Sequence, residues 1–106
     1  MKTIKKRYIA LKIESNQKIT YTELKRELWN AVITLFGEYG ASKTALKIIK
    51  YDWIRKLVIL RITNASMDMM RAAICSITTL NNVQVVFHVT TVSGTLKSLN
   101  QKIKIP

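Results

Sequence analysis

The sequence predicts an α+β fold in the order strand, helix, strand, strand, helix, strand. Three observations carry that expectation. The segment Leu46–Thr63, LKIIKYDWIRKLVILRIT, has two β-branched and aliphatic arms joined by a tight reversal around Asp52–Arg55. Flanking it are two stretches with apolar residues at helical spacing. Alternating strands open and close the series. Two such units form a split β-α-β sandwich of ferredoxin-like, RRM-like type. It would have a four-stranded antiparallel sheet with the first and third strands central and both helices on one face.

Each element has its own signature. From Arg7 to Glu14, Ile9, Leu11 and Ile13 fall on one face and Tyr8, Ala10 and Lys12 on the other. Ser15–Lys18 is a polar turn. Thr20 and Glu23 have the spacing of a capping box. Leu24, Leu28, Ala31 and Leu35, with Val32 and Phe36 half a face away, then mark a helix ending near Glu38, with Gly37 and Gly40 as its stop. Trp29 and Ile33 read as core rim. In the hairpin's second arm Val58, Leu60 and Ile62 face the helices, and Arg55, Leu57, Ile59 and Arg61 face away. Asn64–Ser66 caps a second helix with Met67, Met70, Ile74, Ile77 and Leu80 on its buried face, Asp68 suiting its N-terminal dipole. Asn81–Asn82 turns the chain into a last strand, where Val83, Val85, Phe87 and Val89 alternate with Gln84, Val86, His88 and Thr90. Residues 1–6 read as a basic arm. Residues 96–106 read as a basic tail with one helical turn.

The 106 residues suit a single domain, 1–106. No apolar run reaches the ~18 residues of a membrane span. The start, MKTIKKRY, lacks a secretory h-region, and lone Cys75 has no disulfide partner within the chain. The expectation is a cytoplasmic protein without a membrane partner. Charge is more informative: 18 Lys and Arg oppose six Asp and Glu, a net of +12. A compact domain this basic calls for an anionic partner, and nucleic acid is the usual one. Thirteen of the cations are Lys, which favours point-charge contact with phosphates over bidentate reading of bases.

The side chains for bond-breaking are sparse. One Cys and one His fall short of a zinc site. The carboxylates Glu14, Glu23, Glu27, Glu38, Asp52 and Asp68 are scattered over separate elements, not gathered as two-metal catalysis needs. Glu14 and Asp68 are expected to pair with Lys or Arg, and His88 to be structural. Neither a P-loop nor a Ser-His-Asp arrangement is present, so no catalytic or metal-binding residue is assigned. The third strand has no aromatic and the first only Tyr8, which makes a poor base-stacking platform. Leu57, Ile59, Val86 and Val92 would instead form an exposed apolar face for a protein partner, extended by Trp53 and Ile54 in the hairpin turn. The alternative is a terminal helix of the same chain lying on that face.

The stretches LFGEYGASKTALKIIKYD (35–52), IRKLVILRI (54–62), RAAI (71–74) and VSGTLK (92–97) resemble the archaeal protein component 2 family of ribonuclease P, related to the eukaryotic Pop-five and Rpp-fourteen proteins. The resemblance runs from Arg7 to Lys97. It departs from the family pattern at Asp52–Arg55, which replaces a more polar turn. It implies an RRM-like fold and a noncatalytic subunit of the ribonucleoprotein that removes the 5′ leader from precursor tRNA, with Mg²⁺ held by the RNA. It also implies pairing with component 3, a TIM-barrel-like subunit, as a dimer of heterodimers. The residues expected to meet RNA are Lys5, Lys6, Arg7, Lys12, Arg55, Lys56, Arg61 and Lys97, with the backbone amides of Ser93, Gly94 and Thr95 as a nest. The alternatives are a ribosomal-type RNA-binding protein, on the same charge, and a structural homo-oligomer whose sheet face pairs with itself.

Overall fold

The computed structural model describes residues 5–80 and 82–103. The order is β1 (Lys6–Ser15), α1 (Tyr21–Thr44), β2 (Lys47–Asp52), β3 (Leu57–Thr63), a 3-10 turn (Asn64–Ser66), α2 (Met67–Ser76), β4 (Thr79–Leu80), β5 (Val83–Ser93) and α3 (Leu96–Ile103). The sheet runs β2-β3-β1-β5-β4, and each pairing is antiparallel. The first and third strands are central, as expected. The sheet has five strands, however, because the chain leaving α2 at Ser76 forms a short ladder on β5 that takes up Leu80, which the helical reading had assigned to α2.

β1 sets the layout. Its Ile9, Leu11 and Ile13 join Leu24, Leu28 and Val32 of α1 and Met70, Ala73 and Ile74 of α2 in the main core, together with Val58, Leu60 and Ile62 of β3. Full burial of side chains this large stabilises the fold by ~1.5–3 kcal/mol each. The capping box at α1 is formed: Thr20 Oγ1 accepts from the Glu23 amide at 3.2 Å, and Glu23 Oε1 accepts from the Thr20 amide at 3.2 Å. On the helices' side Tyr51 donates its hydroxyl hydrogen to the Ile19 carbonyl. Burial first, and the nearby Glu23 carboxylate second, hold that phenol above its ordinary pKa. Cys75 lies exposed on α2.

Four expectations are corrected. α1 does not end near Glu38. Gly37 breaks the helix at φ 76°, but a second segment resumes and runs to Thr44, where Ala45 closes it in the left-handed region. A Cβ at Gly40 would lie 2.9 Å from the Phe36 Cβ, so that glycine allows close packing across the kink and is no terminator. The 96–106 tail contains the third helix, α3, and the other face of the sheet is therefore not bare. Leu99 is fully buried against Ala10 and Ile59, with Tyr8, Ile49, Leu57, Leu96 and Ile103 around it. β1 begins at Lys6, so the 1–6 arm overlaps the sheet, while residues 1–4 lie outside the described residues. Finally, the register on β1 slips between Ala10, opposite Thr91, and Leu11, opposite Val89. Thr90 is the extra residue of a β-bulge, its hydroxyl donating to the Ala10 carbonyl at 3.2 Å. The bulge reverses the alternation, so Val92 turns toward the main core and not toward the opposite face.

Two stability outcomes follow. Leu99→Ala should cost about 2–3 kcal/mol in urea denaturation and speed amide exchange across residues 96–103 first, because no other α3 residue is fully buried. Tyr51→Phe should cost about 1 kcal/mol. The phenol's raised pKa means that its contribution is complete below the unfolded value near 10. It is lost as pH climbs toward the folded value, so the wild type should show an alkaline loss of stability that Tyr51→Phe lacks.

Candidate nucleic-acid interface

The face of the sheet that carries α3 is also the basic one. On it Lys12 of β1 stands opposite Leu57 of β3, and Lys50 of β2 opposite Ile59. The β2–β3 turn brings Arg55 and Lys56 to the same end. Asp52 Oδ1 accepts from the Arg55 amide, the Lys56 amide donates to the Trp53 carbonyl, and Lys56 itself takes φ 56°. From the other side comes Lys102 near the end of α3. These five cations line a cleft of about 540 Å³, with Leu57, Ile103, Thr90, Thr91 and Asn100 completing its described wall. No carboxylate or imidazole is among them. The cleft is thus equipped to hold anions and lacks an acid–base pair.

Sequence reasoning found Lys12, Arg55 and Lys56 and missed Lys50 and Lys102. Lys50 is hidden by a second irregularity, between Ile48 and Lys50 on the β2–β3 ladder, which sets the strand's facing. Lys102 could have been found only by recognising α3. The remaining expected residues lie elsewhere. Arg61 and Lys47 stand in one row with Tyr8 and Ser93, four residues along β1 from Lys12, about 13 Å away at strand rise. The Arg61 Nε is buried without a hydrogen-bond partner among the described residues. Arg7 donates from Nε to Asn64 Oδ1 at 2.7 Å, and its guanidinium lies against Gly94. Ser93-Gly94-Thr95 is the entry to α3: Thr95 Oγ1 accepts from the Ser98 amide at 3.1 Å and Ser93 Oγ from the Thr95 amide at 3.5 Å. The nest is therefore partly satisfied from within. Lys5, Lys6 and Lys97 lie toward this end, outside the cleft lining.

The expected apolar docking face does not exist as drawn. Ile59 is buried and Leu57 half-buried beneath α3, and Val92 packs on the main core. Trp53 also packs on that core, with the Lys56 Nζ 3.1 Å from its ring centroid. Of the six expected residues, Ile54, 91% exposed at the hairpin tip, and Val86, 38% exposed, keep open surface. Further apolar side chains, Ile33, Leu35, Phe36 and Tyr39, are exposed on α1 to either side of the kink. Leu35, which periodicity places in the core, is exposed, whereas Ala41 and Thr44 beyond the break at Gly37 are buried. Glu14 pairs with His88 Nε2 at 3.3 Å, not with Lys or Arg. Among the described residues no three His, Cys, Asp or Glu side chains come together to hold a metal ion, and no helix is long and apolar enough to cross a membrane.

Comparison with family models matches residues 7–104 to the Rpp14/Pop5 family. The chain belongs to this family. Among curated relatives, ribonuclease P protein component 2 of Pyrococcus abyssi is 34% identical over 92% of this chain and 83% of the relative. The protein of the same name from Thermococcus kodakarensis is 30% identical over 92% of this chain and 82% of its own length. A chain in the cryo-EM structure of yeast ribonuclease MRP superposes with a TM-score of 0.72 at 17% identity, covering 91% of this chain and 79% of that one. The overall fold is therefore shared with that chain.

For this Rpp14/Pop5 member, titration with sulfate or a short polyphosphate should shift the resonances of Lys12, Leu57 and Thr91 before those of Tyr8 and Ser93. Lys50→Gln and Lys102→Gln should each weaken the anion affinity measured by NMR, which sequence-guided choices alone would not have tested.

Proposed function

We propose that this chain is a noncatalytic protein subunit of ribonuclease P that binds the catalytic RNA through its phosphates. In this role it supports Mg²⁺-dependent removal of the 5′ leader from precursor tRNA. The observation that carries this reading is the convergence of Lys12, Lys50, Arg55, Lys56 and Lys102 on one cleft with no carboxylate in its described lining. Family membership and the names of its relatives support it. The cleft and the Arg61 row lie on one face, so a bent RNA backbone can run from one to the other beside α3. A phosphate reaching Arg61 would also supply the partner that its buried Nε lacks. The Mg²⁺ ions of the reaction belong, on this reading, to the RNA. The strand order, with β4 and α3 set aside, is read as a ferredoxin-like core.

The protein partner is component 3, and the surface offered to it is the exposed end of α1. Ile33, Leu35, Phe36 and Tyr39 expose apolar and aromatic side chains along this stretch, residue types suited to a protein contact. A dimer of heterodimers fits a chain that presents this surface and the Ile54 hairpin tip at separate places.

Reconstituted leader cleavage should depend on this subunit at limiting Mg²⁺. RNA affinity should fall steeply with salt, and Lys56→Gln should weaken binding across RNA sequences and lower the log–log salt slope by about 1. A flat salt response would remove the phosphate reading. Leu35→Asp with Tyr39→Asp, both at exposed positions, should weaken component 3 binding roughly tenfold or more while RNA affinity holds. If the same pair instead dissolves a self-associated form seen by light scattering, the surface serves a homo-oligomer. Co-purification with ribosomal subunits and not with component 3 would favour a ribosomal-type RNA-binding role.

A further inference from the structure

The cleft holds more than charge. Leu57 and Ile103 give it an apolar strip, and Thr91 and the exposed Asn100 bring a hydroxyl and an amide to its wall. The Thr90 hydroxyl gives its hydrogen to the Ala10 carbonyl and keeps its oxygen as an acceptor. A cleft of about 540 Å³ falls within the ~300–1,000 Å³ usual for sites that enclose a small molecule. Phosphate alone, lying across the rim, would engage Arg55, Lys50 and Lys102 and leave both the apolar strip and the amide hydrated. An intact A-form helix cannot reach them, since its bases are stacked and its surface is convex.

We propose that the cleft receives one unstacked nucleotide of the bound RNA. The base lies on Leu57 and Ile103, its edge meets Asn100 and Thr91, and the flanking phosphates are held by Lys12, Lys50, Arg55, Lys56 and Lys102. This rests on the reading of the chain as an RNA-binding subunit and adds to it the class of RNA recognised: a bulge, loop or single-stranded junction in preference to a continuous duplex. The stacking partner is aliphatic because the nearby aromatics are engaged elsewhere, Trp53 under Lys56 and in the main core, Tyr8 beneath α3. Asn100 carries both donors and an acceptor, so the site accommodates any of the four bases.

The test compares three RNAs by fluorescence anisotropy on the full chain: a short duplex, the same duplex with one bulged nucleotide, and that bulge made abasic. The bulged RNA should bind roughly fivefold more tightly than the duplex, about what one net hydrogen bond to the base edge supplies, and the abasic form should lose most of that gain. Asn100→Ala, at an exposed position, should narrow the difference between bulged and abasic RNA, with an unchanged circular dichroism melt as the control for folding. Adding a nucleoside monophosphate should move the Leu57 and Ile103 methyl resonances further than inorganic phosphate does. Equal affinity for all three RNAs, with the salt dependence intact, would overturn the nucleotide pocket and leave RNA binding standing. Absence of affinity for any of them would overturn both.

Discussion

The double burial of β1 is the constraint on which this structure turns. Ile9, Ala10 and Leu11 are all fully shielded from solvent, two of them by α1 and α2 and the middle one by α3. Strands buried on both faces are usual in sheets layered by helices, where neither side is left for water. Here the covering is unequal. Two helices and a large core close one face, while a single short helix anchored by Leu99 covers the centre of the other. What remains uncovered on that second face is its two ends, and the chain places most of its useful charge there.

That arrangement explains how so basic a protein keeps its cations available. The carboxylates sit on α1, at the hairpin turn, at the start of α2 and beside His88, and none belongs to the described cleft lining, although Asp52 holds the Arg55 amide and Glu14 shares a face with Lys12. Among the described residues the one ion pair is that of Glu14 with His88, and none engages the lysines and arginine of the cleft. Their mutual repulsion is a modest cost at the ends of a sheet, where solvent and salt screen it. It becomes a gain when an anionic strand lies across them. The exposed apolar side chains of α1 belong to a helix packed on the opposite face of the sheet from α3, so they are separate from this charge.

Much of the fold was legible in the sequence because its signals are local. The Thr20–Glu23 capping box, the alternation of Ile9, Leu11 and Ile13, and the hairpin arms each follow from a few neighbouring residues. What escaped was set by tertiary context. Leu96, Leu99 and Ile103 lie at helical spacing, but eight residues are too few to separate a docked helix from a basic tail. Gly37 and Gly40 look like a helix stop, and the first is one. Only packing of Phe36 against the second shows why the helix resumes. The candidate site was half legible for the same reason: Lys12, Arg55 and Lys56 belong to clear strands and a clear turn, whereas Lys50 follows a ladder irregularity and Lys102 follows α3.

The bulge at Thr90 has a consequence for how this chain tolerates change in length. The surplus residue lies between Val89, opposite Leu11, and Thr91, opposite Ala10, so every later residue would keep its partner on β1 if that one were lost. Deleting Thr90 should close the strand into a regular ladder, with Val92 still toward the core and Ser93 still at the entry to α3; what disappears is the hydroxyl on the Ala10 carbonyl and one wall of the cleft. A codon lost from the regularly paired stretch Val85–Val89 would instead turn the side chains on one side of the gap to the wrong face, so within a single strand one position is expendable and its neighbours are not.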